Sequence, residues 1–162
     1  MASTRLVLWR AYDPDLDFAQ KPSFDPLAGE GASFGSGRWH TKAPGKRIIY
    51  ASEHPALAYL EMIARAEGVL ERLAFVHFEV VAPEVHRPPE GVLRRITNRR
   101  VTRSFGDDWY ANHPAPVLEV PSVILPFGRN YLVRAVDPNA RINLLERFDL
   151  PVDERIRKML ER

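Results

Sequence analysis

Short apolar segments rich in β-branched and aromatic residues recur along most of this chain, and turn-forming residues separate them. This pattern predicts a series of short β-strands. The candidate strands are residues 6–9 with Tyr12, 47–51, 74–81, 117–120, 123–125, 130–133 and 142–145. Because Pro121 and Ser122 interrupt residues 117–125, that region is either two strand segments or one bulged edge strand.

Helical signals are fewer than strand signals. Ser52 predicts the N-cap of a helix that runs to about Ala66. Ser104 predicts the cap of a short helix that ends before Pro114, and residues 152–160 have the pattern of a third, amphipathic helix. Because strands and helices do not alternate, the sequence predicts an α+β fold with a mixed or antiparallel sheet and short helices, not a doubly wound sheet.

The size and composition of the chain exclude several classes of protein. Its 162 residues are the length of one domain, and we expect that domain to span residues 1–162. The absence of Cys excludes a disulfide framework, a thiolate metal site and a Cys nucleophile. No apolar run approaches the roughly 20 residues that span a bilayer, and the first residues do not form a signal-peptide pattern. We therefore expect a soluble, cytoplasmic protein.

Two segments stand out by composition. Residues 13–36 are rich in Pro, Gly, Asp and Ser and predict a long loop, and such loops are often functional or mobile. Residues 94–103 contain five Arg and no acidic residue, although the net charge of the chain is only +2. This basic stretch is either a solvated face or a surface for phosphates or an acidic partner. No aromatic residues interleave with its arginines, so a base-stacking platform for nucleic acid is disfavoured.

The first polar feature that could carry chemistry is Gly37-Arg38 in a glycine-rich loop. Glycines let the backbone approach a ligand closely, and Arg38 brings a bidentate donor for phosphate or carboxylate, although a plain loop has the same composition. The second is Tyr50 at the end of a predicted strand, where it could present a ring and a hydroxyl to a cleft or lie in the core.

Two further polar residues lie in otherwise apolar surroundings. Glu61 falls beside the predicted apolar stripe of its helix, so its carboxylate either serves a site or pairs with Arg65 four residues later. Ser122 could hold a ligand or satisfy a neighbouring backbone group. The stripe itself consists of Leu57, Leu60, Ile63 and Ala64.

Other common site types find no support in the sequence. The five His residues show no pair at metal-ligand spacing, so we expect no metal site. The string Gly-Ser-Gly at 35–37 lacks the flanks of a hydrolase nucleophile elbow, and no carboxylate pair is singled out for glycosidase chemistry.

The order of these motifs resembles the RES-domain family. The matching segments are Gly37-Arg38-Trp39, Tyr50-Ala51-Ser52, a helix with Leu60-Glu61, Pro121-Ser122 and Asn130-Tyr131-Leu132. The family is named for its Arg, Glu and Ser, which would be Arg38, Glu61 and Ser122. The resemblance extends over residues 8–142, which is most of the chain.

The resemblance implies a toxin of a bacterial type II toxin–antitoxin pair with a fold similar to ADP-ribosyltransferases. Such toxins consume NAD+ as substrate, without a metal, by hydrolysis, by phosphorolysis or by mono-ADP-ribosylation of a host protein. The resemblance also implies a cognate antitoxin with an Xre-like DNA-binding domain that covers the active site. A non-catalytic binding module that uses the basic stretch for nucleic acid or an acidic partner remains the alternative.

The resemblance also implies roles for single residues. Glu61 would stabilise the positive charge that develops at the ribose as nicotinamide leaves. Arg38 would bind the pyrophosphate or a ribose, and Tyr50 would orient the nicotinamide. Ser122 would bind the ribose or the amide. Trp39 and Asn130 belong to the same NAD+-binding set, and Arg10 is either a second phosphate contact or an exposed strand residue.

The chain departs from the family pattern at two places. Many members have an Asn-Pro-x-His-Pro run after the Asn-x-Leu motif, where residues 134–138 here read Arg-Ala-Val-Asp-Pro. His40 follows Arg38-Trp39 at a position where Asn is common. Neither change removes Arg38, Glu61 or Ser122.

Overall fold

A seven-stranded sheet with five short helices makes up the part of the chain, residues 2–161, that the computed structural model describes. The strands are β1 Thr4–Tyr12, β2 Ile48–Ser52, β3 Arg72–Ala82, β4 Val85–His86, β5 Val117–Pro121, β6 Arg129–Arg134 and β7 Arg141–Pro151. The helices are α1 Gly31–Phe34, α2 Pro55–Arg65, α3 Glu90–Leu93, α4 Arg99–Asn112 and α5 Glu154–Leu160. The predicted domain, 1–162, also includes Met1 and Arg162, which lie outside the described residues.

The strand order is β4-β5-β6-β2-β1-β3-β7. Only β4 and β5 are parallel among these neighbours, and all other pairs are antiparallel. The predicted α+β class with a mixed sheet is therefore confirmed. β1 pairs with β3 along its whole length, but it meets β2 at one pair of facing residues, Trp9 and Ser52. The two halves of the sheet are joined there.

Strand alternation gives the sheet two apolar faces. One face carries Leu8, Ile49, Val76, Phe78 and Val133 in a buried cluster. The other face is covered by α4 on one half of the sheet, where Trp109 packs with Ile48, Leu118 and Leu132. On the other half, side chains of α2 pack against Leu73 and Phe75 of β3. Helices α2 and α4 therefore stand over the same face, on either side of the β1–β2 junction.

The caps of the two longest helices, α2 and α4, differ from the prediction. His54, not Ser52, caps α2, since its Nδ1 accepts a hydrogen bond from the amide of Ala56. Ser52 ends β2 instead and is buried. Asn98, not Ser104, caps α4, because its side-chain oxygen accepts from two amides of the first turn. Helix α4 therefore begins at Arg99, five residues before the predicted cap.

The apolar stripe predicted for α2 is also wrong in part. Leu57 and Ala58 are buried, whereas Leu60 and Ala64 are exposed. Ala58, rather than Leu60, is buried beside Leu57 in α2, which packs against β1 and β2. Glu61 is consequently four residues from a buried leucine and three from a buried alanine, on the side of the helix that faces the sheet.

Residues 123–125 are not a strand. The chain turns after β5, where the Ser122 hydroxyl accepts hydrogen bonds from the amides of Ile124 and Leu125 and the Gly128 amide donates to the Leu125 carbonyl. The loop predicted at 13–36 contains the short helix α1, and the strand predicted at 142–145 is only the start of the longer β7. No helix in the described range is long and apolar enough to cross a membrane.

We predict that Gly106→Ala destabilises the protein by about 1–3 kcal/mol, the usual cost of overpacking. A Cβ at Gly106 would lie 1.7 Å from the Trp39 carbonyl oxygen, so α4 could not stay in contact with that backbone. Elsewhere in a helix the same change stabilises by about 1 kcal/mol. Gly91→Ala in α3 is the matched control, because its Cβ would meet nothing within 4 Å. Urea unfolding of both variants tests this, and equal stabilities would contradict it.

Candidate active site

A cavity of about 310 Å³ opens over the β1–β2 junction, between α2, the start of α4 and the loop around Gly37. Its size is within the range of small-molecule sites. The cavity brings together five of the six residues that the sequence predicted for the site: Arg38, Trp39, Tyr50, Glu61 and Asn130. Ser122, the sixth, does not line the cavity and is only 2% exposed.

The register of the sheet explains why these polar groups meet. Asn130 of β6 lies directly opposite Ser52 of β2, and Ser52 lies opposite Trp9 of β1. Directly opposed residues point to the same face of a sheet, so these three side chains form one row across three strands. Tyr50 shares that face because it is two residues before Ser52. Helix α2 then brings Glu61 over the row.

Two hydrogen bonds fix the carboxylate of Glu61. The Ser122 hydroxyl and the Asn130 side-chain amide both donate to Oε1, each at 2.7 Å. The alternative ion pair between Glu61 and Arg65 does not form within the described residues. Because both donors bind the same oxygen, Oε2 has no hydrogen-bond partner in the described part of the chain. The carboxylate therefore has one anchored oxygen and one available to a ligand.

The Ser122 hydroxyl has no capacity left for a substrate. It donates its one hydrogen to Glu61 and accepts from the amides of Ile124, at 3.2 Å, and Leu125, at 3.1 Å. One donor and two lone pairs are the whole capacity of a hydroxyl. Ser122 thus orients Glu61 and at the same time orders the turn after β5.

The loop that carries Arg38 is anchored through His40 and Tyr50. His40 Nε2 lies 2.7 Å from the Gly35 carbonyl, which can only accept, so Nε2 carries the hydrogen. His40 Nδ1 then accepts from the Tyr50 hydroxyl, also at 2.7 Å. Burial raises the pKa of Tyr50 and lowers the pKa of His40. Gly37 is required there, since a Cβ would lie 2.6 Å from the Tyr50 oxygen.

Helix α4 holds the same loop from the other side. Thr102 Oγ1 donates to the Arg38 carbonyl at 2.6 Å, and Arg103 Nε donates to the Gly37 carbonyl at 2.8 Å.

The Arg38 guanidinium donates to the Ile96 carbonyl at 3.0 Å. Partial burial lowers the pKa of Arg38, and the nearby Arg99 lowers it further, whereas Glu61 opposes the shift. Trp39 is 2% exposed and packs in the core. The preceding residues Gly37 and Arg38 are therefore the part of this loop that is more accessible to a ligand.

Positive charge dominates the cavity. Four arginines line it, and Glu61 is the one acidic residue among the described lining residues. The arginines are Arg10, Arg38, Arg65 and Arg99. A concave surface with this balance favours an anionic ligand with more than one negative charge. Sequence reasoning missed Arg65 as a lining residue and placed Arg99 only in the general basic stretch.

Arg10 is the most unusual of these arginines. Its Nε is shielded from solvent and has no hydrogen-bond partner in the described part of the chain. Burial, followed by repulsion from Arg65, lowers its pKa to about 10. The alternative that Arg10 is simply an exposed strand residue is therefore wrong. Alternation places Arg10 on the opposite face from Trp9, and it reaches the cavity lining where β1 and β2 no longer pair.

The arginines of the basic stretch differ in their contacts. Arg94 pairs with Glu90, Arg99 lines the cavity, and Arg103 bonds to the Gly37 carbonyl. Only Arg95 and Arg100 of the stretch line a separate shallow hollow beside α4. The five arginines therefore serve different parts of the fold.

The altered run at 134–138 has a structural role. Arg134 donates to the carbonyls of Tyr110, Pro114 and Ala115 at the end of α4, and it pairs with Asp137. These residues do not line the cavity. Across residues 2–161, no three His, Asp or Glu side chains converge closely enough to hold a metal ion.

Comparison with known proteins gives concordant matches. The sequence profile of the RES domain matches residues 7–153. A protein of Sphingobium sp. named Prs ADP-ribosylating toxin is 34% identical over 127 residues, which cover 72% of this chain and 77% of that protein. Toxin Res of Photorhabdus laumondii is 27% identical over 81% of this chain and 88% of its own length.

A solved structure is similar in fold. It is the crystal structure of the M. tuberculosis MbcT–MbcA toxin–antitoxin complex, in which one chain matches with a TM-score of 0.62 and 14% sequence identity. The match covers 98% of this chain and 90% of that chain. The likeness therefore extends over the whole architecture of sheet and helices.

We predict that the free energy of unfolding decreases as the pH is lowered below about 6.5, the ordinary pKa of His. Because the folded state keeps His40 neutral, the unfolded state binds more protons as the pH falls, until the pH reaches the lowered folded pKa. His40→Asn should flatten this dependence in part, since His86 also has a pKa lowered by burial. Thermal unfolding between pH 7.5 and 5.0 measures it. An unchanged slope in His40→Asn would contradict the assignment.

Proposed function

This chain belongs to the RES-domain family, and from that premise we propose that it is a toxin that cleaves the nicotinamide–ribose bond of NAD+. One observation carries the proposal: a carboxylate anchored through one oxygen faces a cavity that four arginines line. The similarity to an ADP-ribosylating toxin supports the same substrate. We further propose that the protein acts in the bacterial cytoplasm as part of a type II toxin–antitoxin pair.

The charges of the cavity match those of NAD+. The pyrophosphate carries two negative charges, and guanidinium groups bind phosphates by charge-assisted, often bidentate hydrogen bonds. Arg38 and Arg10 are the arginines we assign to the pyrophosphate, with Arg65 and Arg99 adding to the local potential. The cationic nicotinamide would then lie toward Glu61, the acidic group of the lining. Tyr50 lines the cavity and its hydroxyl is bonded to His40, so we assign its ring to the nicotinamide.

The reaction needs stabilisation of positive charge more than it needs an acid. As the bond between the ribose carbon and nicotinamide breaks, its electron pair leaves with nicotinamide, which becomes neutral. The ribose acquires oxocarbenium character, and the free Oε2 of Glu61 stabilises that charge. Ser122 and Asn130 keep the other oxygen fixed, so the carboxylate need not reorganise during the reaction. A nucleophile then adds to the ribose carbon and loses its proton.

The nucleophile decides the class of the enzyme. Water gives hydrolysis and phosphate gives phosphorolysis, whereas a side chain gives mono-ADP-ribosylation of a protein. We propose hydrolysis as the minimum activity, because water is always present. The name of the Sphingobium relative supports a protein acceptor in addition. A cognate antitoxin would inhibit the reaction by covering the cavity, and we propose an Xre-like protein for that role.

We predict that Glu61→Gln lowers the kcat of NAD+ cleavage at least about 100-fold, the usual effect of removing one transition-state stabiliser. The Gln amide is nearly isosteric with the carboxylate, so the fold should remain intact. It carries no negative charge, so it cannot stabilise the positive charge on the ribose. Glu67→Gln is the matched control, because Glu67 is exposed just after α2. The assay follows free nicotinamide and adenine-labelled ADP-ribose, with and without phosphate and a bacterial lysate.

The products separate the three acceptors. Nicotinamide released without phosphate or lysate identifies a hydrolase, and a phosphate requirement identifies a phosphorylase. Label on one protein band identifies a transferase and its target. If folded Glu61→Gln cleaves NAD+ at the wild-type rate, the role of Glu61 is wrong. If the folded wild-type protein, free of antitoxin, releases no nicotinamide in any arm, the enzyme proposal fails.

We predict that Arg10→Met weakens NAD+ binding about tenfold or more in KM and yet stabilises the free protein. Met keeps the aliphatic volume of the side chain and removes a guanidinium whose shielded Nε has no hydrogen-bond partner, a change worth about 1 kcal/mol in favour of the fold. Arg155→Met in α5 is the control, because that side chain is exposed and already paired with Asp153. Thermal unfolding and steady-state kinetics test both effects. A lower melting temperature together with an unchanged KM would contradict the assignment.

A further inference from the structure

Ser52 is a buried residue at the cavity that does not cap α2 as the sequence predicts, and the proposed reaction gives its hydroxyl no role. It ends β2 and is 3% exposed. Its Oγ donates to Asn130 Oδ1 at 2.7 Å. Asn130 Nδ2 in turn donates to Glu61 Oε1 at 2.7 Å. The hydroxyl is thus linked to the carboxylate through one amide group.

The direction of every hydrogen in this chain of groups is determined. An ionised carboxylate only accepts, so Asn130 must turn its NH2 group toward Glu61. Asn130 Oδ1 then faces Ser52, and an amide oxygen only accepts. The Ser52 hydroxyl must therefore donate. Without that donor, the half-buried Asn130 Oδ1 would lose its hydrogen-bond partner, and Ser52 would no longer fix the direction in which the amide turns.

We infer that Ser52 is a positioning residue that holds the side-chain amide of Asn130, and through it Oε1 of Glu61, in the orientation the reaction requires. The inference rests on the proposed function for its consequence in catalysis. Its structural part, the orientation of the Asn130 amide, is independent of the substrate. Ser52 is the third group, after Ser122 and Asn130, that fixes the same oxygen, and it contacts the carboxylate only through Asn130.

The sheet register makes Ser52 suited to this task. It lies directly opposite Asn130 on one side and Trp9 on the other, at the one residue pair that joins β1 and β2. The backbone at this position is therefore held from both sides, which keeps the hydroxyl at a constant distance from Asn130. Removal of the hydroxyl alone leaves these backbone pairs unchanged, so Ser52→Ala tests the hydroxyl and not the strand.

The experiment compares Ser52→Ala and Ser52→Cys with wild type. Cys has nearly the same volume as Ser but is a weak donor, so both variants should lower kcat about tenfold, as small misplacements of catalytic groups do. KM should change less than about twofold, because the arginines assigned to the pyrophosphate are unchanged. Ser52→Thr, which keeps the hydroxyl, should recover most of the activity. Ser33→Ala is the matched control, since that part-buried hydroxyl donates only to the Glu30 carbonyl.

A double-mutant cycle tests whether Ser52 acts through Asn130. In the Asn130→Ala background, Ser52→Ala should lower kcat no further, because the group it orients is gone. A second, independent readout is the side-chain NH2 resonance of Asn130 in NMR spectra of the free protein, identified by its loss in Asn130→Ala. That resonance should shift in Ser52→Ala and Ser52→Cys and remain in place in Ser33→Ala.

Each outcome decides the inference. An unchanged kcat and an unchanged Asn130 resonance in folded Ser52→Ala overturn it. A raised KM with unchanged kcat also overturns it, since Ser52 would then contact the substrate directly. Equal losses from Ser52→Ala with and without Asn130 show independent action and overturn it as well. If wild type does not cleave NAD+, the proposed function fails, and the resonance alone decides whether Ser52 orients the amide.

Discussion

Two hydrogen bonds to a single oxygen of Glu61 tie α2 to the β5–β6 pair. The donors come from residues that are 61 and 69 positions away in the chain, so this contact joins the first half of the molecule to the second. It also leaves the other oxygen toward the cavity. The same Ser122 hydroxyl orders the turn after β5, so the anchoring of the carboxylate and the shape of that turn cannot be changed separately.

The charges that line the cavity are not balanced within the protein. Four arginines line it with one carboxylate, and Arg10 has a buried Nε without a partner. A shielded donor without a partner destabilises a fold. In the proposed function, an anion with two phosphates supplies partners for these groups. Under that proposal, stability and substrate binding oppose each other at Arg10, a trade-off known from other active sites.

Close contacts with β2 and α4 hold the loop around Gly37 in place. A side chain at Gly37 would meet the Tyr50 hydroxyl, and one at Gly106 would meet the Trp39 carbonyl. These contacts bring α4 and β2 against the backbone on either side of Arg38. His40 completes the arrangement, because its ring has two nitrogens that bond to Gly35 and Tyr50 at the same time. The departure from Asn at this position is thus built into the network that supports Arg38.

The sequence by itself determined the fold class, most of the strands and the second helix, because alternation and 3.6-residue periodicity are local properties. It also selected Arg38, Tyr50, Glu61 and Asn130, which the structure brings to one cavity. Tertiary structure decided what local patterns do not contain. Ser52 had the local signature of a cap but became a donor to Asn130, and Arg10 became part of the cavity lining where two strands part. The physical reason is that both roles arise from register and packing between segments distant in the chain, and only folding brings those segments together.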